Sequence, residues 1–402
     1  MRNRWAIAFL TSSGILVTYI LRLNVSSAAP TMQKSLSLSD FELGIVLSSF
    51  LWSYTFIQPL AGLFTDRFGA KLSLLYGVIA TSLVTVATGF ATSFSSLFAM
   101  RFVLGATQAP NFVAGAKVSS SEWFTHDQRA RATSIWITGG RLGPVVTFPI
   151  AAWLAVVYGW QWAFFGTGIL GLIWSALWYL GFRDNPSPRN TEPRRIKENL
   201  RVVLSPLGLG FAIASFGQGY VAYYLNLWLP TYLVRQQKFS VINAGILATL
   251  PLLSAVLTLL LVGGVVSDYL VKRSFSPIGL RRNLFCIGMV AASLMLFATA
   301  YAPDPYSAVA SLSLAGAALG FSTPSLWVAL VEATPKSITG TMGGIQNFGG
   351  NLAGIVVSVL TGYVLQVSES FFMALVAGSV AALLGAVAAF LLIRVKRTDM
   401  KD

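Results

Sequence analysis

Long apolar runs alternate with short polar connections along the chain, and this pattern predicts membrane-spanning helices. Twelve runs are readable, at 5–30, 41–63, 72–91, 96–119, 132–156, 162–181, 206–234, 242–265, 283–301, 307–333, 340–365 and 371–393. Each approaches or exceeds the roughly 20 apolar residues that a helix needs to cross a bilayer. An even number of spans puts both termini on one side, and the lysines and arginines of the connections choose that side. One set of connections holds 21 bases, from Arg2 and Arg4 through Arg67, Lys71, Arg129 and Arg131 to Lys401. The opposite set holds only Lys34, Arg235 and Lys238. Both termini are therefore expected in the cytoplasm.

The longest polar stretch, 182–205, separates six runs from six. It opens on Arg183-Asp184-Asn185-Pro186 and stays charged to Arg201, which reads as a solvated linker lying on anionic headgroups. The expected organisation is a six-helix bundle over 1–181, the linker, and a second bundle over 206–402. The two halves repeat each other. Gly62-Leu63-Phe64-Thr65-Asp66-Arg67-Phe68-Gly69-Ala70-Lys71 follows the second run, and Gly264-Val265-Val266-Ser267-Asp268-Tyr269-Leu270-Val271-Lys272-Arg273 follows the eighth. The same 202-residue offset aligns Leu23-Asn24 with Leu225-Asn226, and Gly139-Gly140-Arg141-Leu142 matches Gly349-Gly350-Asn351-Leu352. Duplicated bundles mark transporters whose halves rock about a central site. The first run has a basic start and small residues at Ser26–Ala29, like a secretory signal. Arg22 interrupts its end and its counterpart, the seventh run, is internal, so it reads as an uncleaved span.

Composition narrows the class. Of 402 residues, 55% are hydrophobic and 10% charged, with mean hydropathy +0.69. Soluble domains carry about 25% charged residues, so a soluble enzyme is excluded. The net charge of +14 does not indicate nucleic acid, because the bases punctuate apolar runs and form no continuous stripe. A single cysteine, Cys286, rules out an internal disulfide and reads as packing.

Charges at membrane depth are costly and usually face a cavity. Arg22, Arg101 and Arg141 lie inside the first, fourth and fifth runs. Arg141 is roughly 13 Å from the expected cytoplasmic start of its helix, and Arg101 about 7 Å below the outer surface, at 1.5 Å per residue. Lys117 lies near an inner helix end and is expected to snorkel. The fourteen acids all fall in connections or at helix ends. An anionic substrate is the natural partner for the arginines, whose forked guanidinium suits a carboxylate. The alternative is that they bond helix carbonyls.

Gly62, Asp66, Arg67, Gly69 and Lys71 resemble the loop 2–3 motif of the major facilitator superfamily, with a weaker copy at Gly264, Asp268 and Arg273. The chain is similar to the anion–cation symporter branch of that family, which includes sialin-like and sugar-acid transporters. Leu21-Arg22-Leu23-Asn24-Val25, Arg101 with Gln108-Ala109-Pro110, Trp228-Leu229-Pro230-Thr231-Tyr232-Leu233 and Asn347-Phe348-Gly349-Gly350-Asn351 carry the likeness. The resemblance implies an all-α polytopic membrane protein of twelve transmembrane helices in two pseudo-symmetric six-helix bundles, the major facilitator fold. It implies that Arg22 grips a substrate carboxylate. It also implies that Gly62, Asp66, Arg67, Gly69, Lys71, Arg129, Arg131 and Asp268 gate the cytoplasmic side. Many proton-coupled relatives carry acids at the positions of Leu21 and Gln108. Both are neutral here, which leaves uniport, anion exchange or coupling to another ion open.

Sugar-acid hydroxyls need neutral hydrogen-bonding groups. Candidates are Gln108, Tyr223, Tyr224, Asn226, Thr323, Ser325, Asn347 and Asn351; Trp52, Tyr54, Trp136, Trp228 and Trp327 are candidate stacking surfaces or packing. Glycines at 139, 140, 143, 343, 344, 349, 350 and 354 permit close helix approach, and Pro110, Pro144 and Pro324 are candidate kinks. An enzyme would need a nucleophile, an acid–base pair or a metal cluster; the lone His126, beside Asp127, supplies none of these. No selectivity-filter pattern supports a channel. The expectation is a secondary carrier of a small organic anion in the cell (inner or plasma) membrane. It would act as a monomer, with no cofactor, no nucleic acid, and a possible coupling ion.

Overall fold

The computed structural model describes residues 4–118, 124, 128–182, 204–263, 269–270, 276–335 and 338–393, and among these the chain is helical with no strand. The helices are α1 (Arg4–Ser35), α2 (Asp40–Thr88), α3 (Phe94–Lys117), α4 (Arg129–Val157), α5 (Trp160–Gly181), α6 (Pro206–Tyr223), α7 (Leu229–Arg235), α8 (Val241–Leu247), α9 (Thr249–Thr258), α10 (Pro277–Ala300), α11 (Pro305–Ala333), α12 (Thr339–Ser368) and α13 (Phe372–Leu392). π-Helical turns follow α6 (Tyr224–Trp228) and α9 (Leu259–Gly263).

These elements follow the expected runs with three local differences, one of which is that the eighth run is divided into α8, α9 and a π turn. The second and third runs meet in α2, which changes direction at Gly69, where φ is 81° and ψ is 170°. Only glycine adopts that backbone without strain, so the sharp turn sits inside the loop motif itself. The seventh run is interrupted by the π turn ahead of α7. Pro230 lacks an N–H and leaves the preceding turn one donor short, and a widened turn is a common accommodation. By contrast, α1, α3, α4 and α11 run continuously through Pro30, Pro110, Pro144 with Pro149, and Pro324.

Helix starts follow capping chemistry. Ser39 accepts from the Glu42 amide while the Glu42 carboxylate returns to the Ser39 amide, and Ser93 with Ser96 repeats the box. Among the described residues, nine helices are long and apolar enough to cross a membrane. α3 falls outside that set because Arg101, Gln108, Asn111 and Lys117 dilute its hydropathy.

The chain divides into two compact units. The first comprises Met1–Thr191 with Leu229–Thr249, the second Glu192–Trp228 with Leu250–Asp402. In the first, α2 packs on α3 and α5, and α1 on α4 and α5. The segment bearing α7 and α8 joins this unit: Gly245 fits against Ala152 and the Phe148 carbonyl, and Arg235 pairs with Asp40. In the second, α10 packs on α11 and α13, and α6 on α12 and α13. Large apolar side chains such as Phe56, Phe90, Leu180 and Val367 point outward, as lipid-facing surfaces require, while Asn24, Ser26, Thr81 and Ser322 are buried. Buried threonines satisfy their hydroxyls on carbonyls four residues back, as Thr18 on Gly14, Thr147 on Gly143 and Thr167 on Ala163.

A buried cationic site in the first unit

The first unit gathers two of the three expected arginines on one aromatic ring. The Arg22 guanidinium of α1 lies 4.3 Å from the centre of the Phe50 ring of α2, and that of Arg101 on α3 lies 5.7 Å from the same centre. Tyr54 stacks on Phe50 at 5.1 Å and brings its own ring within 5.2 Å of Arg22; Tyr19, three residues before Arg22, lies 5.6 Å away. Arg22 is 6% exposed and Arg101 1%. The ring faces are negative and favour each cation, but the two like charges repel in a medium of low dielectric.

Arg101 also bonds a helix carbonyl. Its Nη2 donates to the Arg22 carbonyl at 2.9 Å, while its Nε and Nη1 are buried without a hydrogen-bond partner. Two turns further along α3, Gln108 donates from Nε2 to the Thr18 carbonyl at 2.9 Å, and Leu21 is fully buried. Nearby, Asn24 donates to Thr167 at 2.9 Å, leaving its carbonyl oxygen without a partner. Arg141 is exposed on α4, in the stretch where Gly139 meets the Ser12 carbonyl and Gly140 and Gly143 meet Tyr19.

The second unit collects neutral groups. Tyr223 donates to Asn351 at 2.9 Å, and the Asn351 amide nitrogen is buried without a hydrogen-bond partner. Gln218 reaches Ser322 at 3.4 Å and Thr323 at 3.3 Å. Tyr224 and Ser325 are buried, Asn347 is exposed, and Asn226 donates locally to the Ala222 carbonyl at 2.6 Å. Of the candidate aromatics, Tyr54 lies against Arg22. Trp136 packs on Phe112 and Trp228 on Phe371, while Trp52 and Trp327 are exposed.

In the loop motif, Arg67 is exposed beside Phe68 and the Lys71 ammonium lies 5.1 Å from the Tyr179 ring. Lys117, expected to snorkel, donates to the Thr65 carbonyl at 3.1 Å and ties α3 to the middle of α2. The side chains of Asp66, Arg129 and Arg131, together with Gly264, Asp268, Arg273, His126 and Asp127, lie outside the described residues, as does 183–203 of the linker. Sequence reasoning missed Phe50, the shared surface under both arginines. It also missed Gln218 and the Asp40–Arg235 pair. Phe50 is one of 27 phenylalanines and carries no distinguishing local signal.

A model of the Major Facilitator Superfamily matches residues 11–358. A D-galactonate transporter of Escherichia coli is 28% identical, the match covering 98% of this chain and 96% of that protein. A probable galactarate/D-glucarate transporter of Escherichia coli is 30% identical, covering 100% and 97%. A hexuronate transporter of Bacillus subtilis is 29% identical, covering 91% and 88%. Among solved structures, a bacterial homologue of the human lysosomal transporter Spinster, inward-facing and unoccupied, superposes with a TM-score of 0.81 at 16% identity, covering 98% of each chain. A D-xylose–proton symporter gives 0.79 at 17%, covering 99% of each. These two likenesses concern the fold.

Proposed function

This chain belongs to the Major Facilitator Superfamily, and from that premise we propose that it is a secondary transporter moving a sugar-derived carboxylate across the cell membrane by alternating access. It is a transporter rather than an enzyme, and a multi-pass membrane protein. The substrate class follows relatives named for galactonate, galactarate or glucarate, and hexuronate.

The observation that carries the reading is the pair of buried guanidinium groups sharing Phe50. An anion arriving there relieves their mutual repulsion and gains charge-assisted hydrogen bonds, which are roughly twice as strong as neutral ones. Arg22 is the primary grip because its side chain keeps some accessible surface. Within the second unit, the neutral amides and hydroxyls at Tyr223, Asn351, Thr323 and Ser325 are groups of the kind that hydrogen-bond sugar hydroxyls. Both termini lie in the cytoplasm, the segment 182–205 links two six-helix halves, and the protein works as a monomer. The motif residues Gly62, Asp66, Arg67, Gly69, Lys71, Arg129, Arg131 and Asp268 form the cytoplasmic lock.

Uniport or anion exchange is favoured over proton symport, since Leu21 and Gln108 cannot carry a proton across the cycle. Purified protein in liposomes, given labelled D-galactonate, D-glucarate or D-glucuronate, tests both points. Saturable uptake of one of them, lost in Arg22→Ala, is expected. Uptake of none, or full uptake by the variant, refutes the reading of the site. Ionophore-sensitive accumulation driven by an imposed proton gradient refutes the uncoupled mode alone.

A further inference from the structure

α1 and α3 are fastened together at two heights. Arg101 Nη2 donates to the Arg22 carbonyl and Gln108 Nε2 to the Thr18 carbonyl, each at 2.9 Å. Seven residues separate the two donors, which places them on one face of α3, and four separate the acceptors, which stacks them on one face of α1. The lower donor along α3 meets the higher acceptor along α1, so the pairs do not cross only if the helices run antiparallel. Asn111, three residues beyond Gln108, adds a longer contact at 3.4 Å to the Thr18 hydroxyl. All of these side chains are buried. The unbonded Nε and Nη1 of Arg101 are closed off from solvent, so its guanidinium meets no ligand without rearrangement.

We propose that Arg101 and Gln108 are positioning residues: they strap α3 to the Thr18 and Arg22 carbonyls of α1, and so fix the rotation and height at which the Arg22 guanidinium meets the anion. The inference rests on Arg22 being the carboxylate grip. It divides the labour between the two arginines, one touching substrate and one holding it in place. Gln108 carries no charge, yet it acts on binding through the same strap. A helix rotated by a few degrees at Thr18 moves the tip of a long side chain at Arg22 by a large fraction of an ångström, and misplacement on that scale is costly in a preorganised site.

The test uses the full chain in lipid nanodiscs and equilibrium binding of labelled D-galactonate, with Gln108→Met, Arg101→Gln, Arg101→Met, Arg22→Lys and the pairwise combinations of variants at different positions. Gln108→Met removes the donor at nearly constant volume and is expected to raise Kd about tenfold in the folded fraction. Combined with Arg22→Lys it adds less than about twofold, because the grip is already displaced, whereas independent contacts multiply. Arg101→Gln keeps an amide donor without the charge, and is expected to bind more tightly than Arg101→Met. A Gln108→Met Kd within twofold of wild type, or effects that multiply with Arg22→Lys, overturns the strap. Hydrogen exchange of the peptide covering 15–25 is followed in the same samples. It is expected to quicken in Gln108→Met and Arg101→Met, while the peptide covering 74–85 does not change. If wild type binds no sugar acid, the substrate reading fails, and the exchange measurement still decides the strap: unchanged rates in both variants refute it.

Discussion

Replacing Arg22 with glutamine separates the stability of this protein from its function, and the geometry fixes the sign of each effect. Both guanidinium carbons are measured to one ring centre, at 4.3 and 5.7 Å, so they stand within about 10 Å of each other. At an effective dielectric constant of about 20, two unit charges no farther apart than that repel by at least about 1.7 kcal/mol. Arg22→Gln removes this repulsion and also removes the attraction of Arg22 to Phe50, about 0.5–2 kcal/mol. The relief of repulsion offsets the lost attraction. A substitution at a residue only 6% exposed is therefore expected to leave the unliganded protein no more than about 1 kcal/mol less stable than wild type.

The liganded protein behaves differently. Truncating one partner of a buried, hydrogen-bonded charge pair costs about 2–5 kcal/mol, or at least about thirtyfold in Kd. At a ligand concentration of about 100 times the wild-type Kd, binding stabilises wild type by about 2.7 kcal/mol. With Kd raised thirtyfold, the same concentration gives about 0.9 kcal/mol. A thermal-shift titration of purified wild type and Arg22→Gln with D-galactonate reads both quantities. The melting temperature without ligand should not fall appreciably, and the ligand-induced shift should fall to a third or less. A retained shift removes Arg22 from the site. A loss of more than about 3 kcal/mol in the unliganded protein makes it a structural charge, contrary to the balance above.

Three other perturbations follow from particular contacts. A Cβ at Gly105 would collide with the Phe50 carbonyl and the Ser53 hydroxyl and sit 3.0 Å from the Tyr54 amide, so Gly105→Ala forces α2 and α3 apart beneath Arg22. It should cost about 1–3 kcal/mol in a melt and weaken uptake; normal uptake with a normal melt contradicts the close approach. Asp40→Asn or Arg235→Gln should each lower thermal stability by up to about 1 kcal/mol, since these side chains are 14% and 35% exposed. The exchange Asp40→Arg with Arg235→Asp should recover most of that loss at low salt, and a double variant no better than either single one discounts the pair. Finally, hydrogen bonds from Ser307, then Tyr306, hold the exposed Asp304 carboxyl below the usual carboxylate range, where it caps α11. A depressed pKa gives stability that is present above the unfolded value and lost as pH falls through the folded one. Hydrogen exchange over 305–310 should quicken only in strong acid, and Asp304→Asn should abolish that dependence.

The spans were legible because lipid and water impose opposite demands on the residues between them, and a run such as 371–393 announces itself. The turn at Gly69 was visible as a motif but not as a geometry, since a positive φ leaves no mark beyond the glycine itself. Arg22 and Arg101 were legible for the opposite reason: a base inside an apolar run is an anomaly, and anomalies are easy to see. What surrounds them was not. Phe50 and Thr18 are ordinary residues in ordinary helices, and their importance lies in the register between α1, α2 and α3, which depends on close approaches such as Gly105 on Phe50. The sequence expectation allowed Arg101 either an anion or a helix carbonyl. The structure gives it a carbonyl through one nitrogen and leaves two others without hydrogen bonds.

The placement of neutral residues matters as much as that of the charges. An acid at position 108 would present oxygen to the Thr18 carbonyl and could bond it only when protonated, so the α1–α3 fastening would follow its proton. Glutamine donates at every pH, and the fastening stays closed. At position 21, leucine fills its buried place next to Arg22 without adding a negative charge, so the cationic pair on Phe50 keeps its full attraction for an incoming anion. Both substitutions work in one direction. On the function proposed above, neither position offers a competing internal carboxylate, and an anion bound in the first unit would meet no titrating group at positions 21 and 108. On that reading, uniport runs only down the electrochemical gradient of the anion itself, and accumulation draws on an exchanged anion or on another coupled ion.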